Sequence, residues 1–202
     1  MIGAHAAGIV GLVLALSLAL TGCASPPARF YALAATAVPD TASPPLRDAV
    51  AVDSVAVPAA VDRPQFVVHR GANRVFVDEF NRWAAPLPSS IARTLAEDLA
   101  ILLGTPRVVS GPLAESFDPA YRVSVDIQRF DSVRGQGSVL DAVWVVRSTA
   151  AGGTATSGRS TLREAAPAGE GGDYDALAAA HSRAIAALAR DIAAAIRARG
   201  GR

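Results

Sequence analysis

Polar and apolar residues alternate strictly along residues 121–128. Tyr121, Val123, Val125 and Ile127 fall on one face, and Arg122, Ser124, Asp126 and Gln128 on the other. A period of two predicts a half-buried antiparallel strand. After a turn at Gly135-Gln136-Gly137, residues 138–147 put Leu140, Ala142, Trp144 and Val146 on one face. Residues 154–164 follow Gly152-Gly153, and the three runs predict a meander. Earlier in the chain, residues 49–57 alternate Val50, Val52, Val55 and Val57 with one irregularity and stop at Pro58. Residues 65–70 and 74–80 flank Gly71-Ala72-Asn73 and predict a hairpin. Short strands are expected at residues 29–33 and 107–110.

The period changes to three and four in two places. Leu87, Ile91, Leu95, Leu99 and Leu102 form one apolar stripe, with Arg93, Thr94, Glu97 and Asp98 on the other side. This predicts a helix with Ser89 or Ser90 as N-cap, stopped by Gly104 and Pro106. Tyr174, Leu177, His181, Ile185, Leu188, Ile192 and Ile196 form a second stripe, with Asp173 as the cap and Gly200-Gly201 as the end. Each helix has one face to bury. The chain is therefore expected to form a single α+β domain, mainly an antiparallel sheet with two main helices packed on one face.

The first apolar run has a different meaning. Residues 6–20 carry no charge, and Leu20-Thr21-Gly22-Cys23 follows directly. As a helix this run reaches about 22 Å, short of the roughly 30 Å hydrocarbon core. It reads as an export signal of the lipobox type, cleaved after Gly22, with Cys23 as the lipid attachment site. Residues 1–5 contain no Lys or Arg, unlike the usual start of such a signal. No Asp follows Cys23, which points to the outer membrane, on its periplasmic face. The expected organisation is a signal peptide over 1–22, a lipidated N-terminus and flexible tether with a short strand over 23–48, and a folded domain over 49–202.

Composition narrows the function. The 202 residues less those 22 leave 180, enough for one domain with a core. The formal charge is +1, so nothing suggests a nucleic-acid partner. All 19 basic residues are arginines, a composition bias before it is a phosphate-binding device. Cys23 is the one cysteine, which excludes disulfides, cysteine-ligated metals and a cysteine nucleophile from the mature domain.

The sequence contains no H-E-x-x-H, G-x-S-x-G or P-loop. His69 lies in a strand, and His181 lies on the apolar stripe of the last helix. Ser182 follows His181, but adjacent helix positions do not face each other. The acids are scattered. No catalytic residue, metal site or cofactor is expected.

Residues 62–87 combine arginines, acids and aromatics in a hairpin that leads into a helix. Phe80 and Trp83 suit anchors of the sheet on that helix. Arg63, Arg74, Arg82 and Trp83 equally suit a partner-binding face, since interfaces favour Trp and Arg. The strings Asp62-Arg63-Pro64-Gln65, then Arg70-Gly71-Ala72-Asn73-Arg74-Val75, then Glu79-Phe80-Asn81-Arg82-Trp83-Ala84-Ala85-Pro86-Leu87 resemble the ABC-type transport auxiliary lipoproteins. Residues 121–131 and the Ala-rich last helix are similar to that family too. Ala85 departs from it, standing where an acid is expected. The resemblance implies a non-enzymatic, outer-membrane-anchored partner of an MCE-domain protein and its permease and ATPase, serving phospholipid transport between membranes. It also implies that the chain is able to form a homo-oligomer. Two other readings stand beside it. One is an assembly or structural lipoprotein acting on an outer-membrane protein or peptidoglycan. The other is a periplasmic hydrolase joining His181 or His69 to a Ser and an acid.

Overall fold

The computed structural model describes residues 26–150, 152–167 and 173–200. Cys23 and the signal segment 1–22 lie outside the described residues, as does the side chain of the expected cap Asp173. The chain runs β1 (Arg29–Tyr31), β2 (Val50–Ala56), β3 (Gln65–His69), β4 (Val75–Trp83), α1 (Leu87–Leu103), β5 (Val108–Ser110), α2 (Pro112–Ser116), β6 (Tyr121–Val133), β7 (Gly137–Ser148), β8 (Ala155–Ala165) and α3 (Asp173–Gly200).

The strands form two sheets, with orders β5-β2-β6-β7-β8 and β1-β4-β3. The meander β6-β7-β8 and the hairpin β3-β4 are antiparallel, as expected. β2, however, enters between β5 and β6 and runs parallel to both. β1 runs parallel to β4. The long pairings are antiparallel, but both sheets are mixed. The connection from β2 to β5 runs through the β3-β4 hairpin of the smaller sheet and α1, and so long a connection allows parallel pairing.

Both long helices cover the inward face of the larger sheet, α1 over β2 and β5 and α3 over β7 and β8. On β6 that face holds Tyr121, Val123, Val125 and Ile127, all buried. A bulge at Gln128, between Ile127 and Arg129, then shifts the inward positions to Phe130 and Ser132. β2 also carries its expected irregularity, between Val52 and Ser54. The stripes of both helices are buried throughout.

Three local expectations change. α1 starts at Leu87 with Pro86 at its N-cap and no side-chain cap. Ser89 Oγ instead donates to the Pro86 carbonyl at 3.0 Å. Proline in the first turn presets φ, so no Ser cap is needed. Gly104 closes the helix at φ 65°, the left-handed conformation that glycine adopts without strain. α2 is a short helix with no periodic signal in the sequence.

The third change concerns the expected tether. Residues 34–47 have almost no regular structure, yet they are fastened to the helices. Leu33 is buried. The Thr36 and Ala37 amides donate to Asp98 Oδ1 at 2.9 and 2.8 Å. The Leu46 amide donates to the Leu103 carbonyl, and Arg197 donates to the Pro44 carbonyl. A Pro- and Ala-rich segment without helix or strand pattern reads as a linker, but helix side chains satisfy its backbone groups here.

Candidate functional site

The hairpin β3-β4 brings both ends of the block 62–87 together. The Trp83 amide donates to the Pro64 carbonyl at 2.7 Å. Residues 62–64 and 83–87 thereby line one surface pocket of about 310 Å³. Trp83 is 6% exposed, packed in the core with an edge at the pocket. Leu87, the first residue of α1, is buried at the same wall. Arg63 sits exposed on the pocket, and its guanidinium makes no hydrogen bond or ion pair among the described residues. Ala85 lines the pocket without a carboxylate, and the one acid that lines it, the exposed Asp62, makes no ion pair with Arg63.

The four candidate binding residues divide. Arg63 and Trp83 meet at this pocket. Arg82 is adjacent in sequence but turned to the outer face, where its Nε donates to the Glu79 carbonyl at 2.8 Å and its guanidinium pairs with the Glu79 carboxylate at 3.4 Å. Arg74 lies at the far end of the hairpin, exposed and with no side-chain partner among the described residues. The two expected aromatic anchors also divide. Trp83 is buried, whereas Phe80 is 42% exposed. An irregular β4 explains this: β3 skips from Arg82 to Asp78 between Gln65 and Phe66. Asp78 Oδ1 accepts from the amides of Phe80 and Asn81 at 2.9 and 3.0 Å and holds the extra residues outward.

Behind the pocket lies an aromatic cluster that fastens the small sheet to α3. Phe66 stacks on Trp83 at 4.3 Å and meets Tyr31 and Tyr174 edge-on at 5.8 and 5.2 Å. Phe130, turned inward by the β6 bulge, stacks on His181 at 3.8 Å. The Tyr174 hydroxyl donates to Asp78 Oδ2 at 2.7 Å. Burial, then this bond, raises the Tyr174 pKa, so the phenol stays a donor.

The hydrolase reading meets an unexpected pair. His181 Nε2 lies 2.8 Å from Ser132 Oγ, a contact that sequence neighbours of His181 did not suggest. Both residues are sealed from solvent, and His181 Nδ1 has no hydrogen-bond partner. Burial pushes the His181 pKa down to about 3. A triad base needs an acid on Nδ1 and a substrate path to the hydroxyl, and neither is present around this pair. Strand alternation sends Asp131 to the other face, where it meets His69 Nε2 at 3.2 Å. Among the described residues no three His, Cys, Asp or Glu side chains group to hold a metal.

The chain matches the family described as ABC-type transport auxiliary lipoprotein component over residues 31–193. It therefore belongs to that family, whose members are lipoproteins of the cell envelope serving ABC-type transport systems. No curated protein matches it. A solved structure of an uncharacterized protein is 20% identical, covering 83% of this chain and 99% of its own, with a TM-score of 0.63. A protein from Xanthomonas campestris is 17% identical over 82% of this chain and 93% of its own, also with a TM-score of 0.63. These likenesses concern the fold. A PelC dodecamer from Paraburkholderia phytofirmans, 17% identical over 77% of this chain and 89% of its own, has a TM-score of only 0.42. No helix among the described residues is long and apolar enough to cross a membrane.

Proposed function

We propose that this protein is a non-enzymatic lipoprotein held to the periplasmic face of the outer membrane by acyl chains on Cys23. There it docks an MCE-domain protein of an ABC-type phospholipid transport system. The observation that carries this reading is the pocket at residues 62–64 and 83–87. The two sequence strings that most resemble the family converge to build it, and it presents the unpaired Arg63, with Asp62 at its rim, beside apolar walls.

Such a pocket suits a peptide segment of a protein partner. Pro64, Trp83, Pro86 and Leu87 offer apolar contact, and Arg63 offers a forked donor for a carboxylate. Anchoring supports the role. At about 0.8 kcal/mol per buried CH₂, two or three acyl chains hold stably where one does not. Family membership supplies the transport system.

The test is affinity capture from envelopes with the intact lipoprotein, its Arg63→Glu variant and an Ala85→Arg variant that fills the pocket. Both side chains are at the surface, so both variants should fold. The wild type should retain the MCE-domain protein, and both variants should lose it. Retention by all three, or capture of a β-barrel protein or peptidoglycan instead, would refute the reading.

A further inference from the structure

The structure shortens the presumed tether. With residues 31–47 fastened to the fold, residues 24–28 are all the chain between Cys23 and β1. Six residue steps separate Cys23 from Arg29, which at 3.3–3.6 Å per residue is about 20 Å at full extension. The headgroup region beyond the hydrocarbon core is itself several ångströms thick. A lipidated Cys23 therefore brings the β1 end of the small sheet close to the bilayer.

That end of the domain has an unusual surface. Phe30 is 65% exposed and lies opposite Arg82 in the β1-β4 register, with Phe80 two residues away on the same outer face. β1 pairs only with Asn81, Arg82 and Trp83, so the outer edge of β4 from Val75 to Phe80 has no neighbouring strand among the described residues. Arg29, next to Phe30 in β1, is exposed as well. Between Cys23 and Val38 the single charge is Arg29. Two exposed phenylalanines beside Arg29 and the Arg82–Glu79 pair match the boundary between acyl chains and phosphates, where rings enter the apolar layer and the Arg29 guanidinium takes phosphate oxygens.

We infer that the Phe30–Phe80 face of β1 and β4 rests on the phospholipid surface, seated there by the short link to Cys23, while the Arg63–Trp83 pocket stays open to the protein partner. The inference rests on acylation of Cys23. It gives the domain a fixed orientation on the membrane in place of a loose leash.

The mature chain has no other thiol, and acylation blocks Cys23, so one added cysteine is labelled uniquely. The acylated full-length protein is placed in vesicles of phosphatidylethanolamine and phosphatidylglycerol. A polarity-sensitive dye is attached at Phe30→Cys, Phe80→Cys or, on the exposed surface of β8, Arg159→Cys. Fatty-acid incorporation at Cys23 is measured in the same samples. Dyes at 30 and 80 should shift to the blue and be quenched by nitroxide-bearing lipid, and the dye at 159 should do neither. If Cys23 is acylated but 30 and 80 stay unquenched, the membrane-facing surface is refuted and the anchor stands. A blue shift that follows protein density and ignores nitroxide lipid would assign the face to a second copy and also refute it. If Cys23 takes up no fatty acid, the anchor fails and the inference falls with it.

Discussion

Trp83 stacks on Phe66 with ring centroids 4.3 Å apart and planes 26° apart. This pair, at the base of the hairpin, joins the pocket wall to the aromatic core. Trp83 therefore has a structural role whatever binds beside it. Trp83→Ala should cost about 3–5 kcal/mol of unfolding free energy in urea, the range for a large buried aromatic. Phe80→Ala should change it by less than about 0.5 kcal/mol, as surface substitutions do. Equal costs would contradict the placement.

His181 makes stability depend on pH. Burial holds its folded pKa near 3, below the ordinary 6.5. On acidification the unfolded chain takes up this proton first, so the contribution is full above pH 6.5 and falls as pH drops towards 3. The slope from this group is about 1.4 kcal/mol per pH unit in that window. His181→Gln keeps a polar partner for Ser132 and cannot titrate. Its urea-unfolding free energy should fall less steeply below pH 6.5 than that of the wild type. Parallel slopes would show that His181 is not the group responsible.

Asp98 clamps the strap formed by residues 34–37. Its Oδ1 accepts two amides, its Oδ2 is buried without a partner, and burial raises its pKa. A raised pKa means that its contribution is most favourable at low pH, below 3.8. That contribution is lost as pH rises through the folded value, leaving a desolvation cost at neutral pH. Asp98→Asn keeps an acceptor without the charge and should match or exceed wild-type stability at neutral pH. Asp98→Ala should cost about 1–3 kcal/mol by orphaning the two amides. It should also speed hydrogen exchange at Thr36 and Ala37. Equal damage from both variants would contradict the clamp.

Gly158 makes room for Trp144. A Cβ at Gly158 would collide with the indole ring. The Trp144 Nε1–H donates to Ser160 Oγ at 3.1 Å, and Ser160 donates to Asp191 on α3 at 2.5 Å. Gly158→Ala should displace the ring and disturb this relay, costing about 1–3 kcal/mol and altering tryptophan fluorescence. The exposed neighbour Ser157→Ala should do neither.

Local pattern carried much of this fold. The alternation at Tyr121–Ile127 and the stripes Leu87–Leu102 and Tyr174–Ile196 each reappear as buried faces, because one side chain's environment repeats at the period of its element. Long-range choices left no such trace. Nothing local indicates that Val50 and Val52 will pair in parallel with both β5 and β6. The bulge at Gln128 swaps the buried positions from Ile127 to Phe130, so simple alternation stops there. The pocket was half legible: Arg63 and Trp83 stood out by residue type, but their meeting depends on the hairpin. The Ser132–His181 contact joins residues far apart in sequence, and the Asp98 clamp sits where a polar helix residue looked solvent-facing.

The docking role is tested most directly in the native envelope. A photoreactive residue at position 63, with Cys23 unchanged, should crosslink on irradiation to an MCE-domain protein. The crosslink should weaken when Ala85→Arg fills the pocket. Crosslinks confined to an outer-membrane β-barrel protein or to peptidoglycan would contradict the account.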